Sequence, residues 1–139
     1  MRLVVTTPHA TVVDAEILHV RAEDESGAFG VMKGHADFLT ALSICVLVYR
    51  DLDGREHFVA VRSGLLTVTG GSRVQVLTRE AVASDDLPSL ERGVLARFRR
   101  SAADERRARA GAGNLEAALL TRVADYVRLE RHRVRGGAL

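Results

Sequence analysis

The chain has 139 residues, of which 47% are hydrophobic and 27% charged, a composition typical of one ordinary domain or two small ones rather than of a disordered segment. No apolar run approaches the roughly 20 residues that a membrane-spanning helix needs, and the first residues lack the apolar stretch of a signal peptide. We therefore expect a folded intracellular protein.

The net charge of +2 hides an asymmetry along the chain. Residues 1–87 hold 8 Lys and Arg against 12 Asp and Glu, which gives −4. Residues 88–139 hold 12 against 6, which gives +6, and all twelve cations there are arginines. Because the hydrophobic period changes near the same place, the charge shift predicts a domain boundary. We place a β-domain at residues 1–84 and a helical domain at residues 85–139.

The first part of the chain has the pattern of short strands. The segments "RLVVT" and "VVDAEILHVRAED" come first, and the second alternates with a period of two residues. Two turn signals follow, Asp53-Gly54 and Gly70-Gly71, each flanked by apolar strand patterns. Turn signals every 8 to 12 residues, without a helical pattern between them, predict a β-sandwich or barrel.

After Val82 the apolar residues follow a helical period. Asp85 and Asp86 precede Leu87-Pro88, a favourable helix entry because proline suits the first helical position. One apolar face is then formed by Leu90, Val94, Leu95, Phe98 and Ala102. The pattern breaks at Gly111, Gly113 and Asn114 and resumes with Leu115, Leu119, Val123, Tyr126 and Val127. This arrangement predicts an antiparallel hairpin of two helices.

The sequence contains no recognisable catalytic or metal-binding constellation. None of the five histidines has the spacing of a known ligand motif, and Cys45, inside the apolar run "SICVLVY", is expected to be a buried inert thiol. The glycine-rich stretch "ESGAFGVMKGHADFLTAL" fits no phosphate-binding pattern. We predict no enzyme, no cofactor and no metal. A basic nucleic-acid adaptor stays open as an alternative, although aromatic residues make up only 4% and no reader-helix motif occurs.

Two stretches resemble the epsilon subunit of rotary F-type ATP synthases. The segment "GAFGVMKGHADFLTAL" is close to the signature Gly-x-x-Gly-Ile-Leu-Pro-Gly-His-x-x-Leu-Leu-Thr-x-Leu of that family. Its matching positions are Gly27, Gly30, Gly34, His35, Leu39, Thr40 and Leu42. The segment "FVAVRSGLLTVTGGSRVQVL" is similar to the family's Ala-Val-x-Gly-Gly-x-Leu-x-Val strand pair and the run after it. The stretches "VRAEDESGAFG" and "LTREAV" look most like the variant found in alternate F-type operons.

The resemblance implies a β-sandwich with a C-terminal helical hairpin and a non-catalytic place in the central stalk. The subunit would link the gamma subunit to the ring of c subunits at the cytoplasmic face of the bacterial plasma membrane, peripheral and membrane-associated only through the complex. The implied contact surface with the c-ring and gamma comprises Gly27, Ala28, Gly30, Lys33, Gly34 and His35. We expect its three glycines to allow turns that side chains would block.

The resemblance also implies that the hairpin inhibits ATP hydrolysis by docking on the alpha and beta catalytic subunits. The residues expected to dock are Arg99, Arg100, Arg106 and Arg107. Some bacterial members bind ATP at the hairpin entry through an aspartate and an arginine. The aligned "LPSLER" has Pro88 and Glu91 there, so an ATP site is not predicted. Whether the coupling ion is a proton or sodium is left open.

Overall fold

The computed structural model describes the backbone of residues 1–136 and the side chains of residues 1–113, 117–125, 127 and 128. Nine strands occupy the first part of this described chain: β1 Arg2–Thr6, β2 Thr11–Asp24, β3 Gly27–Met32, β4 Phe38–Leu42, β5 Cys45–Asp51, β6 Glu56–Val61, β7 Gly64–Thr69, β8 Arg73–Leu77 and β9 Ala81–Ser84. The helical part comprises α1 Leu87–Ser89, a π-helical segment Leu90–Leu95 and α2 Ala96–Gly136. The predicted β-sandwich followed by a helical C-terminal region is confirmed.

Strand β2 joins the two layers of the sandwich. It is 14 residues long; its first half pairs with β1, and its second half pairs with β3 and β5. The hydrogen-bonded path runs β1-β8-β7-β4-β2-β5-β6-β9, with β3 attached to β2. One layer therefore contains β1, β8, β7 and β4 with the first half of β2, and the other contains the second half of β2 with β3, β5, β6 and β9.

Both predicted hairpin turns are confirmed. Gly54 has φ +85° in the β5–β6 turn, and Gly70 and Gly71 have φ +60° and +65° in the β7–β8 turn. Glycine adopts these left-handed angles without the steric cost that a Cβ atom imposes. The β5–β6 turn is closed further by the Asp51 carboxylate, which accepts hydrogen bonds from the backbone N–H groups of Asp53 and Arg55, both at 2.9 Å.

The core lies between the two layers and is built from alternate residues of the strands. Leu3, Leu47 and Leu66 are among its fully buried side chains, and each faces inward because successive strand residues point to opposite sides. Cys45 is a free cysteine in the same cluster. Burial raises the pKa of its thiol to about 11, and the expectation of a buried thiol is confirmed.

The beginning of the helical part covers the outer face of one layer. Val46, Ala60 and Val82 are directly opposed across β5, β6 and β9 and point away from the sandwich core. The side chains packed on this row come from the helical segment: Leu90, Leu95 and Phe98. The compact unit that contains the sandwich consequently extends from Met1 to Arg100, and a second unit begins at Ser101.

The predicted helix entry is confirmed in detail. Asp86 is the N-cap residue and accepts a hydrogen bond from the Ser89 backbone N–H at 3.5 Å, and Pro88 lies in the first helical turn. The six residues that follow, Leu90–Leu95, have π-helical hydrogen bonding. Such segments are rare in proteins and usually short. Here the π-helical segment includes two of the buried side chains that cover the sheet.

The predicted turn at Gly111, Gly113 and Asn114 is not present, because α2 continues through these residues as one helix of 41 residues. A helical glycine costs about 1 kcal/mol, whereas a break forfeits several cooperative backbone hydrogen bonds. Leu119 and Val123, which the hairpin would have buried, are exposed. The side chains of Leu115 and Tyr126 and residues 137–139 of the predicted domain lie outside the described residues. No helix in the described part combines the length and apolarity needed to cross a membrane.

Candidate assembly interfaces

The first predicted interface residues lie on β3 at one edge of the sandwich. Gly27, Ala28 and Gly30 are all exposed, and β3 pairs with the second half of β2. Gly27 has φ +118°, an angle that favours glycine. Gly30 is different, because a Cβ atom there would meet only ordinary contacts, with the nearest atom, Arg21 Cγ, at 3.8 Å. The expectation that Gly30 is needed for a turn is therefore wrong: it is a regular strand residue.

The loop after β3 is fixed to the β7–β8 turn. Gly34 has φ +90°, and its N–H donates to the Gly71 carbonyl oxygen at 2.7 Å. The Asp37 carboxylate accepts a hydrogen bond from the Gly70 N–H at 2.9 Å. A Cβ atom on Gly71 would lie 3.0 Å from Gly34 Cα, so the two backbones approach closely. The predicted need for glycine at Gly34 is borne out by its backbone conformation.

His35 makes local contacts at the same end of the sandwich. Its Nδ1 atom lies 2.7 Å from the Ala36 carbonyl oxygen, and its ring centroid lies 5.6 Å from that of Phe38. Phe38 in turn contacts Phe29 edge to face at 5.7 Å. The neighbouring Lys33 is exposed. One short accessible loop is therefore formed by Lys33, Gly34 and His35. Hydrogen bonds to the β7–β8 turn hold its backbone in place.

Asp24 has a supporting role that the sequence did not indicate. Its carboxylate accepts hydrogen bonds from the Ser26 hydroxyl at 2.5 Å and from the Thr40 hydroxyl at 2.8 Å. Both bonds lower the pKa of Asp24, and the bond from Ser26 has the larger effect. Because the folded-state pKa is depressed, the stabilisation is present above the usual carboxyl pKa of about 3.9 and is lost as the pH falls through the folded value. The signature residue Thr40 therefore ties β4 to β2.

A second surface, the leucine face, was also missed. We define it as Leu39, Leu65 and Leu77 together with Ala41, on the outer side of the layer formed by β1, β8, β7 and β4. Ala41 is opposite Leu65, and Leu65 is opposite Leu77. The leucines are 64%, 47% and 57% exposed. Sequence reasoning treats such residues as core, because alternation alone does not show which face another element covers.

The four predicted docking arginines are all exposed. Arg99 and Arg100 are the last residues of the first compact unit. In the second unit, Arg107 forms an ion pair with Asp104 at 2.7 Å, and the Arg106 Nε atom donates to the Ala102 carbonyl oxygen at 3.4 Å. All four side chains are therefore accessible, and local contacts orient two of them, Arg106 and Arg107.

These features define the architectural class of the protein. It is a small β-sandwich, extended by a C-terminal helical region, with accessible loops and an apolar outer face. Residues 1–84 match the family described as "ATP synthase, Delta/Epsilon chain, beta-sandwich domain". The chain is 37% identical over 132 residues to ATP synthase epsilon chain 2 of Paraburkholderia xenovorans, covering 94% of this chain and 95% of the relative. The chain therefore belongs to the ATP synthase delta/epsilon family, as its resemblance implied.

Further comparisons agree with this assignment. The protein is 47% identical over 95 residues to ATP synthase epsilon chain 2 of Cereibacter sphaeroides, which covers 68% of this chain and 65% of the relative's length. A chain from the cryo-EM structure of the Euglena gracilis mitochondrial ATP synthase, OSCP/F1/c-ring, has the same fold, with a TM-score of 0.54 and 20% identity over 58% of this chain and 51% of that chain. The nucleic-acid alternative gains no support from these relatives.

Proposed function

We propose that this chain is a non-catalytic epsilon subunit in the central stalk of a rotary ATP synthase, where it joins the gamma subunit to the c-ring. It would be a peripheral component at the cytoplasmic face of the bacterial membrane, attached only through the complex. Membership of the delta/epsilon family supports this proposal. Torque transmission requires stable binding to two partners at once. A rigid sandwich with two separate accessible surfaces meets this requirement.

The observation that carries the proposal is the leucine face. The other layer of the sandwich is covered by the chain's own Leu90, Leu95 and Phe98, whereas Leu39, Leu65 and Leu77 are exposed. Adjacent exposed apolar side chains on a soluble surface mark sites of protein–protein contact. We assign the leucine face to the gamma subunit, whose binding would remove these three side chains from water.

Co-purification with the gamma subunit tests this assignment. Leu65→Ser together with Leu77→Ser should weaken gamma binding by about tenfold or more, since each 1.4 kcal/mol lost is a factor of ten. Leu52→Ser is the matched control, because Leu52 is 63% exposed but lies in the β5–β6 turn. Unchanged gamma binding by the double variant, or an equal loss in the control, would reject the leucine face as the gamma site.

We assign the loop of Lys33, Gly34 and His35 to the c-ring. The loop is accessible, and the two hydrogen bonds at Gly34 and Asp37 hold it against the β7–β8 turn, so it can act as a rigid contact. His35→Ala should reduce the amount of chain retained on the isolated ring while its melting temperature stays close to that of the wild type. Unfolding of the His35→Ala variant would show instead that His35 serves the fold.

We further propose that the arginine-rich C-terminal unit inhibits ATP hydrolysis through the alpha and beta subunits. Removing residues 101–139 leaves the packed helical segment on the sandwich and should raise hydrolysis by the assembled enzyme while synthesis persists. One exposed ion pair contributes only about 0.2–1 kcal/mol. Alanine at Arg99, Arg100, Arg106 and Arg107 together removes two arginines of the deleted segment and the two just before it, and should therefore also raise hydrolysis markedly, whereas Arg107→Ala alone should change it very little. Equal hydrolysis rates with and without residues 101–139 would contradict this role.

A further inference from the structure

His57 lies between two carboxylates at the point where the helical part begins. Its Nε2 atom is 2.8 Å from Asp51 Oδ2, at the end of β5, and its Nδ1 atom is 3.4 Å from Asp85 Oδ1. Asp85 directly precedes Asp86, the N-cap of the helical segment. One imidazole ring therefore connects the β5–β6 hairpin to the linker from which the helix starts.

For the ring to donate to both carboxylates, each of its two nitrogens must carry a proton. A neutral imidazole has one N–H group and can donate to one carboxylate, whereas the imidazolium ion donates from both nitrogens and carries a positive charge. Histidine is the side chain that ordinarily changes its charge between about pH 5 and 8. The Asp51 contact is a hydrogen bond, whereas the 3.4 Å contact with Asp85 is a charge pair that attracts only when the ring is protonated.

The tyrosine and one of the aspartates that contact His57 keep their ordinary forms over this pH range. Burial and the charges of Asp51 and Asp85 raise the pKa of Tyr49, whose ring stacks on His57 at 5.0 Å, so its phenol stays neutral. The hydrogen bond from His57, followed by the Arg55 N–H, lowers the pKa of Asp51, so this carboxylate stays ionised.

Several ionic groups in this part of the chain have partners other than His57. On β6, Glu56 forms an ion pair with Arg50 at 3.1 Å, and the Asp86 carboxylate caps the helix. Further along, Arg97 lies 3.8 Å from Glu80. His57 is therefore the group whose protonation changes how firmly this segment is held.

We propose that His57 is a pH-sensitive latch that ties the linker at Asp85 to the β5–β6 hairpin when protonated and weakens its hold on the packed helical segment when neutral. Leu90, Leu95 and Phe98 supply the apolar attachment, so deprotonation loosens the segment rather than expelling it. Asp85 is 90% exposed, which limits the effect to that of a solvated ion pair.

Amide hydrogen exchange in the full chain tests the latch. We would measure protection factors for residues 90–98 at pH 5.5 and 7.5, each corrected for the intrinsic exchange rate at that pH. They should fall by about two- to fivefold at the higher pH, the population change that an exposed ion pair produces, while those of β7 and β8 stay constant. Nitrogen NMR of the His57 ring across the same pH range should show the loss of a ring proton in parallel with the fall in protection.

Three variants separate the latch from a general effect of pH. His57→Gln should abolish the pH dependence, and His9→Gln, at an exposed histidine in the β1–β2 turn, should retain it. Asp85→Asn, a change at an exposed residue that leaves the Asp51 contact in place, should lower protection at pH 5.5 to the level seen at pH 7.5. Two results would overturn the proposal. The first is equal protection of the wild-type chain at both pH values. The second is a decrease in protection between pH 5.5 and 7.5, in His57→Gln or Asp85→Asn, that is as large as the decrease in the wild type.

Discussion

The two outer faces of the sandwich carry similar rows of apolar side chains, but one row is covered by the chain itself and the other is exposed. Val46, Ala60 and Val82 form one row across three strands; Ala41, Leu65 and Leu77 form the other, also across three strands. The first row is covered by the start of the helical part, whereas both leucines of the second are about half exposed.

The difference shows how the chain divides its apolar surface between its own stability and assembly. The side chains that cover the first row, Leu90 and Phe98 foremost, are almost completely buried, so that face contributes to folding of the isolated chain. The leucine face contributes little until another molecule covers it. Changes on the first face should therefore affect stability, and changes on the second should affect binding.

The largest expected effect comes from removing the cover altogether. A fragment of residues 1–84 retains the whole sandwich core, which includes no residue beyond Ala81, and should fold as an all-β domain. It should be several kcal/mol less stable than a fragment of residues 1–100, because each buried side chain of the cover contributes about 1.5–3 kcal/mol before the ordering cost is subtracted. Urea unfolding followed by circular dichroism measures the difference. Coincident unfolding curves would contradict the comparison.

Single substitutions should reproduce the contrast on a smaller scale. Phe98 is 0% exposed, and Phe98→Ala should cost about 3–5 kcal/mol through the cavity it leaves. Leu77→Ala, on the leucine face, should change stability by no more than about 0.5 kcal/mol. Thermal or urea unfolding of the isolated chain measures both. A cost above about 2 kcal/mol for Leu77→Ala would mean that the leucine face is already covered in the isolated chain.

The sequence predicts the covered face but not the bare one, for a physical reason. Apolar residues at helical spacing from Leu90 to Phe98 identify a helix that needs a surface to pack on, and the Asp86–Pro88 entry is specified by local chemistry. Leu65 and Leu77 have the strand alternation of any half-buried sheet. Only their exposed fractions in the structure, 47% and 57%, show that no element of the first compact unit, Met1–Arg100, covers them.

The hairpin and Gly30 were harder to predict, because each depends on non-local structure. Glycines at Gly111 and Gly113 lower helix propensity without dictating a break, and whether a turn forms depends on what the second helix could pack against. Gly30 belongs to a motif with Gly34, yet strand pairing gives it an ordinary backbone conformation. Motif spacing identified the right loop but could not distinguish the two glycines.

That distinction gives the next prediction, at the end where the two layers are joined. Gly34→Val should cost about 1–3 kcal/mol, because a branched residue at φ +90° is strained. Gly30→Val should cost less than about 1 kcal/mol or be slightly stabilising, since β-branched residues suit strands. Differential scanning calorimetry of the two variants checks the pair. Equal losses would mean that the cost lies in surface polarity rather than in the backbone.

The smallest expected effect lies at Ser63, in the connection from β6 of the covered layer to β7 of the leucine layer. Ser63 is the only non-glycine residue with positive φ, +58°, in the described part of the chain. A side chain in this conformation costs about 1 kcal/mol, and the added flexibility of the unfolded chain with glycine offsets about 0.4–1 kcal/mol of that gain. Ser63→Gly should therefore raise the melting temperature by no more than about 2–4 °C. Ser72→Gly, at an exposed serine with ordinary φ in the β7–β8 turn, is the matched control and should lower it. Because Ser63→Gly alters neither outer face, gamma binding should not change. A lower melting temperature for Ser63→Gly would show that the serine side chain stabilises this connection by more than its backbone strain costs.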